Sequence, residues 1–315
     1  MSADRPPEGA RHAAVRQREG LTRRARRLLR TLVGAFAIGT ASLATAGQTC
    51  DATPPDTVSM TRALGLAERL QQSLDASGAQ VVIVARAGQD LRKYGLNWSH
   101  LAFAYREDTP SPQAIVARSP VLGQIGAPLT NGLPLRQSTR GTWRIVHKLN
   151  QCGTAEAAVF RQGLAEFFLD KPFRYEAAYV VPAPEVQAAL MQVLTDDQRL
   201  VQWHTPAYSV VAYPWSTKYQ QSNQWALETL AGSLDPAAST RERAQAWLQL
   251  HEYQPTVLHI DALTRLGGRI TRANIAFDDH PNAKRFNDHI ETVTVESMFS
   301  WMQRMQIAGP PTVVR

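Results

Sequence analysis

The chain has 315 residues, is 44% hydrophobic and 19% charged, and carries a formal net charge of +7. Nine arginines (Arg5, Arg11, Arg16, Arg18, Arg23, Arg24, Arg26, Arg27, Arg30) against Asp4, Glu8 and Glu19 put 9 − 3 = +6 of that charge in residues 1–31, leaving 7 − 6 = +1 for the rest. The basic balance therefore belongs to the amino-terminal stretch, which argues against a nucleic-acid-binding surface on the body of the protein.

Leu32 to Ala44 is apolar and rich in small residues, and it runs into Ala44-Thr45-Ala46. Basic, then apolar, then a small-x-small site is the pattern of a secretory signal peptide over residues 1–46. The apolar run is shorter than the ~20 residues that cross a bilayer. Cleavage after Ala46 leaves 315 − 46 = 269 residues, 47–315, read as a single domain with its own core, periplasmic or secreted, with no stable membrane span. The two cysteines, Cys50 and Cys152, lie in that mature part. An even pair in an oxidising compartment reads as a disulfide, and a free thiol at Cys152 is the other reading.

Further along, the apolar spacing of Leu64, Ala67, Leu70 and Leu74 predicts a helix over 59–77, stopped by Gly78. Strands are expected at 80–85, 98–105 and 142–149. Residues 106–141, with five prolines, read as a loop with a short strand near 115–118. A helix is predicted over 154–169, extended chain over 175–181, a helix over 184–194 with proline in its first turn, and a strand over 208–213. The next helix spans 222–232 with Gly232 as its stop, and Ser239-Thr240-Arg241-Glu242 opens another to about His251. The remainder predicts an extended 255–260, a short helix 261–266 ended by Gly267-Gly268, an extended 275–277, a strand 291–295 and a helix 296–303. Strands and helices alternate without the spacing of βαβ units, so the fold class is α+β with a mixed or antiparallel sheet packed by helices.

Three groups of residues carry candidate chemistry. Ser222 opens a helix, where unpaired N–H groups favour a nucleophile or an oxyanion; serine is equally a good helix cap. His100 opens a strand, alternating with Trp98, Ala102 and Ala104 opposite Leu101, Phe103 and Tyr105; it reads as a general base or as a hydrogen-bonded core histidine. His147 shares a strand face with Trp143, Ile145 and Leu149, and could orient His100 or be structural. The third group, Asp278, Asp279 and His280, has metal-ligand residue types, but its spacing fits no metal motif and reads as a turn with solvated acids. No metal or other cofactor is expected.

Ser99–Ala104, Trp143–Gly153 and Tyr219–Trp225 together resemble an exported bacterial family known only as domain of unknown function 2145, over nearly the whole mature chain. Ser-His before small and apolar strand residues, and a later Tyr-(x)-nucleophile-Asn helix start, are also distantly similar to circularly permuted NlpC-type papain-like proteins. That resemblance implies a papain-like fold, with Ser222 in the place of the usual cysteine, His100 as base and His147 as third member. Tyr219, Asn223 and Trp98 would line the substrate. It further implies a hydrolase or acyltransferase acting on amide or ester bonds of a cell-envelope component, a peptidoglycan peptide or a lipoprotein. A hydroxyl is harder to deprotonate than a thiol, so the other expectation is a non-catalytic periplasmic binding or assembly protein that retains the fold.

Overall fold

A computed structural model of the chain describes residues 55–107, 141–151 and 153–315. The expected leader, Cys50, Cys152 and most of the proline-bearing loop lie outside the described residues.

Helix α1 (Thr57–Ser77) starts where Asp56 accepts the Ser59 N–H, and it ends at Gly78, which adopts the left-handed φ of 70°. It leads into β1 (Val81–Arg86), which pairs with β2 (His100–Glu107). Strand β3 (Thr142–Asn150) pairs with β2, and β4 (Ala157–Gly163) with β3. Strands β5 (Ala177–Val180) and β8 (Thr312–Val314) complete a six-stranded sheet in the order β4-β3-β2-β1-β5-β8, with every pairing antiparallel. A separate two-stranded ribbon joins β6 (Thr256–His259) to β7 (His289–Thr292).

The helices are α2 (Pro184–Leu194), α3 (Asp197–Leu200), α4 (Ser222–Leu234), α5 (Arg241–Leu250), α6 (Ala262–Thr271), α7 (Asn282–Arg285) and α8 (Val295–Arg304). The main sheet is buried on both faces. Leu101, Phe103, Tyr105 and Val146 pack against α2, α4, α5 and α8; Ala102, Ala104, Trp143 and Ile145 pack against α1, Phe167 and Phe168. The alternation along β2 thus divides its side chains between two cores. Trp225 of α4 meets Phe103 edge-on at 5.7 Å, and full burial of a side chain of this size is worth roughly 1.5–3 kcal/mol.

The architecture is therefore α+β, an antiparallel sheet packed by helices, as the sequence predicts. Several elements differ. The expected helix over 154–169 is instead β4 followed by a 3₁₀ turn, Glu166–Phe168. The chain reverses through Gly153 (φ 75°) and returns along β3, satisfying the edge that β3 would otherwise leave open. Residues 208–213 form turns rather than a strand. Helix α6 runs through Gly267-Gly268, with Gly268 near Ile275. Gly232 does not stop α4 either. A Cβ there would lie 2.1 Å from the Trp203 ring, so glycine admits the close approach of that indole. The terminal strand β8 has no counterpart among the predicted elements.

Candidate ligand-binding site

The ladder between β2 and β3 ends at Phe103↔Val146. Beyond it, the Leu101 N–H donates to Asn223 Oδ1 at 2.9 Å, so a side chain of α4 substitutes for a strand partner. This bond anchors the first turn of α4 against the start of β2. The preceding residue, Gln221, donates through Nε2 to Thr292 Oγ1 (2.5 Å) and to the Val293 carbonyl (2.8 Å). Two amide side chains thus tie α4 to β2 and to the segment after β7.

A buried polar cluster fixes the rest of that helix. Glu228, 1% exposed, accepts from Gln220, Gln224, Gln245 and both the Nε and Nη2 of Arg241. Arg241 also donates to the carbonyls of Ser216, Thr217 and Tyr219 and to Thr205 Oγ1, so one guanidinium holds the loop that delivers α4. The acid meets five donors and the base meets the loop's carbonyls, which satisfies a buried ion pair on both sides. Lys148 reaches this face from β3, donating to the Thr205 carbonyl (2.6 Å) and Gln220 Oε1 (2.7 Å); burial drives its amine down to about 6. Gln220, Gln224 and Glu228 recur every four residues, the one sequence signal that could have revealed this cluster.

His100 and His147 come together as predicted: Nε2 of the first lies 2.9 Å from Nδ1 of the second, and His147 Nε2 lies 2.8 Å from Gln162 Oε1. With Gln162 Oε1 accepting, His147 carries its proton on Nε2, and His100 Nε2–H donates to the bare His147 Nδ1. Burial, together with the nearby Arg86 guanidinium, drives His147 down to about 4; burial, Arg86 and His147 push His100 well below the usual imidazole value. Both rings are therefore neutral near pH 7, and both pack on Phe167, with centroids at 5.9 and 5.3 Å.

Phe167 belongs to the α1 side of the sheet, and α4 covers the other side. Ser222 is consequently not joined to the histidines: no hydrogen bond links it to either ring among the described residues. It is the first helical residue of α4 rather than its cap, the cap position being Gln221. Its hydroxyl lies beside Tyr208, whose phenol burial raises above the ordinary value, so that it stays protonated and cannot serve as a base. The histidines of the expected Ser222–His100–His147 triad thus pack on Phe167 and bond to each other, and among the described residues no hydrogen bond joins Ser222 to them.

A cavity of about 610 Å³ opens beside the first turn of α4 and the start of β2. Gln221 and Asn223 form part of its wall, as do Trp98 and Ser99, with Leu258, Ile260 and Phe277 supplying apolar surface. Two of the three predicted substrate contacts, Trp98 and Asn223, line it. Tyr219 does not; it lies by Lys218 and Asp278. Asn274, 8% exposed, also lines the cavity, and its Oδ1 has no hydrogen-bond partner among the described residues. Lys93, Lys171 and Arg272 stand at the cavity against Asp90 alone, a local balance of 3 − 1 = +2. Sequence reasoning missed Asn274, because a lone asparagine in a turn carries no pattern.

The Asp278–His280 group is used internally. Asp279 accepts the Tyr213 N–H (2.7 Å) and pairs with His280 Nδ1 (2.9 Å), while Asp278 pairs with Lys218 (2.6 Å). Among the described residues no group of three or more His, Cys, Asp or Glu is placed to hold a metal ion. No helix among them is long and apolar enough to cross a membrane.

Fold and cavity define the class: an α+β protein with a helix-covered antiparallel sheet and a preformed pocket where one helix meets a strand start. The chain belongs to the family described as "Uncharacterized protein conserved in bacteria (DUF2145)", whose model matches residues 73–119 and 130–302. No curated protein and no solved structure matches it.

Proposed function

We propose that this protein is a non-catalytic binding protein of the cell envelope that holds a small amphipathic organic acid in the cavity beside α4. The carrying observation is the cavity itself. Its volume falls in the range of small-molecule sites, about 300–1,000 Å³, and its walls are apolar with a few convergent amides. The unpaired Asn274 Oδ1 asks for a donor, and the cationic surround favours a carboxylate. A short peptide with free carboxylate, such as the peptide part of a peptidoglycan fragment, offers both. The envelope location is supported by the basic–apolar–Ala-x-Ala order of residues 1–46.

A permuted papain-like origin of the fold is part of the same proposal, supported by a helix whose first turn meets a histidine-bearing strand start. The hydrolase or acyltransferase reading would require Ser222 and His100 to share a face; the packing of the histidine pair on Phe167, away from the cluster that holds α4, favours the binding reading.

The test is titration calorimetry with peptidoglycan-type tetrapeptides up to about 1 mM, paired with Asn274→Leu and Trp98→Ala. Saturable binding that both substitutions weaken supports the reading. Absence of heat with the wild type, or turnover of the peptide, overturns it.

A further inference from the structure

Helix α6 is built inside out. Its only buried side chain is Arg265, which donates to the Ile260 carbonyl and pairs with Asp288 at 2.6 Å. Its large apolar residues face outward instead: Leu263 is 78% exposed, Leu266 55% and Ile270 67%. At spacings of three and four these three form one stripe along the helix. A helix usually turns such a stripe to the core and its arginines to water. Here an ion pair to Asp288 holds the reverse arrangement. Arg269 borders the stripe; with Arg265 neutralised by Asp288, residues 261–275 leave Arg269 and Arg272 against Asp261, a balance of 2 − 1 = +1. Arg269 makes no ion pair among the described residues, so its charge is available to an outside partner, whereas Arg272 stands at the cavity.

We propose that the outer face of α6 docks onto a membrane surface rich in anionic phospholipid. An exposed leucine–isoleucine stripe bordered by an unpaired arginine gains from burial at the acyl boundary and from attraction to anionic head groups together. Charge complementarity is what selects this occupant over a second copy of the chain, because an anionic head group offers Arg269 the opposite charge that an identical positively charged face does not. The inner side of the same helix, through Thr264, Gly268 and Arg272, lines the cavity. Docking therefore sets the cavity directly behind the lipid surface. The inference stands independently of what the cavity binds.

The experiment is flotation of the full chain with phosphatidylethanolamine–phosphatidylglycerol vesicles and with phosphatidylcholine vesicles, comparing wild type, the double variant Leu263→Gln/Ile270→Gln, and Arg269→Glu. All three retain the arginine-rich amino terminus, so differences between them report α6. The wild type should float with the anionic vesicles, the double variant should bind about tenfold less, and Arg269→Glu should bind less with a weaker salt dependence. These substitutions lie at exposed positions, and unchanged melting curves verify that the variants fold. Equal flotation of wild type and both variants would overturn the proposal. So would a wild-type dimer in sedimentation velocity that the double variant dissociates with no change in flotation; the occupant would then be a second copy.

Discussion

His100 Nε2 donates to His147 Nδ1 across 2.9 Å, at the point where β2 and β3 cease to pair. Below that point the two strands are bridged by this imidazole pair, while the Leu101 N–H of β2 turns to Asn223 of α4. The pair is neutral, buried and packed on Phe167, so its contribution is to cohesion of the sheet, and its weakness is acid.

Unfolded imidazoles have a pKa near 6.5, whereas in the folded chain His147 sits at about 4 and His100 is also lowered by burial. Between those values the unfolded chain binds more protons than the folded one. Stability is therefore full above about pH 6.5 and falls as pH drops toward 4, with His147 alone accounting for about 3 kcal/mol. Urea unfolding across this window should show the decline, and His147→Gln should flatten it relative to wild type. An unchanged slope in the variant would contradict the assignment.

Glu228→Gln removes the charge that faces Arg241 in a buried site and turns an amide N–H₂ toward existing donors. The expected cost is about 3–5 kcal/mol in denaturant unfolding. Replacing both partners, Glu228→Leu with Arg241→Met, should cost less than the sum of the single changes, because neither charge is left alone. Strict additivity would mean that the cluster is not coupled.

Gly232→Ala drives a methyl group into Trp203, whose Nε1 is held by the Ala238 carbonyl at 2.8 Å and cannot readily retreat. Roughly 1–3 kcal/mol should be lost. Trp203→Phe in the same background should recover part of that difference, since the smaller ring vacates the space. A stabilising Gly232→Ala, as helix propensity alone would predict, would show that the indole moves freely.

Ser222, beside a protonated phenol, should not react with an acyl-fluorophosphonate. Mass spectrometry of the treated protein is expected to show no adduct at this residue. Ser222→Ala should cost no more than about 0.5–1.5 kcal/mol of stability, the worth of one buried hydroxyl contact. An adduct on Ser222 would reinstate a nucleophile.

Much of the fold was legible because its signals are local. The apolar spacing of Ala67, Leu70 and Leu74 with Gly78 behind them marks α1, although Leu64, expected on the same face, is exposed and Leu66 is buried instead, and Pro184 in a first turn marks α2. Ala157–Gly163 was misread because a short apolar run takes the state its neighbours allow, and β3 offered an open edge. The glycines of α4 and α6 looked like stops because a sequence does not show that Trp203 or Ile275 presses against them.

The candidate site divides the same way. Alternation along β2 already set His100 with Ala102 and Ala104, opposite Leu101, Phe103 and Tyr105, since the strand period is two whatever the sheet does. The sequence could also bring His147 onto a strand and Ser222 to a helix start. What it could not determine is which face of the sheet α4 would cover, because that depends on the whole set of apolar surfaces competing for burial. The tertiary structure puts α4 over Leu101 and Phe103 and turns the histidines toward Phe167. That one choice of face separates Ser222 from His100 and leaves a pocket, rather than a nucleophile and base, where the helix meets the strand.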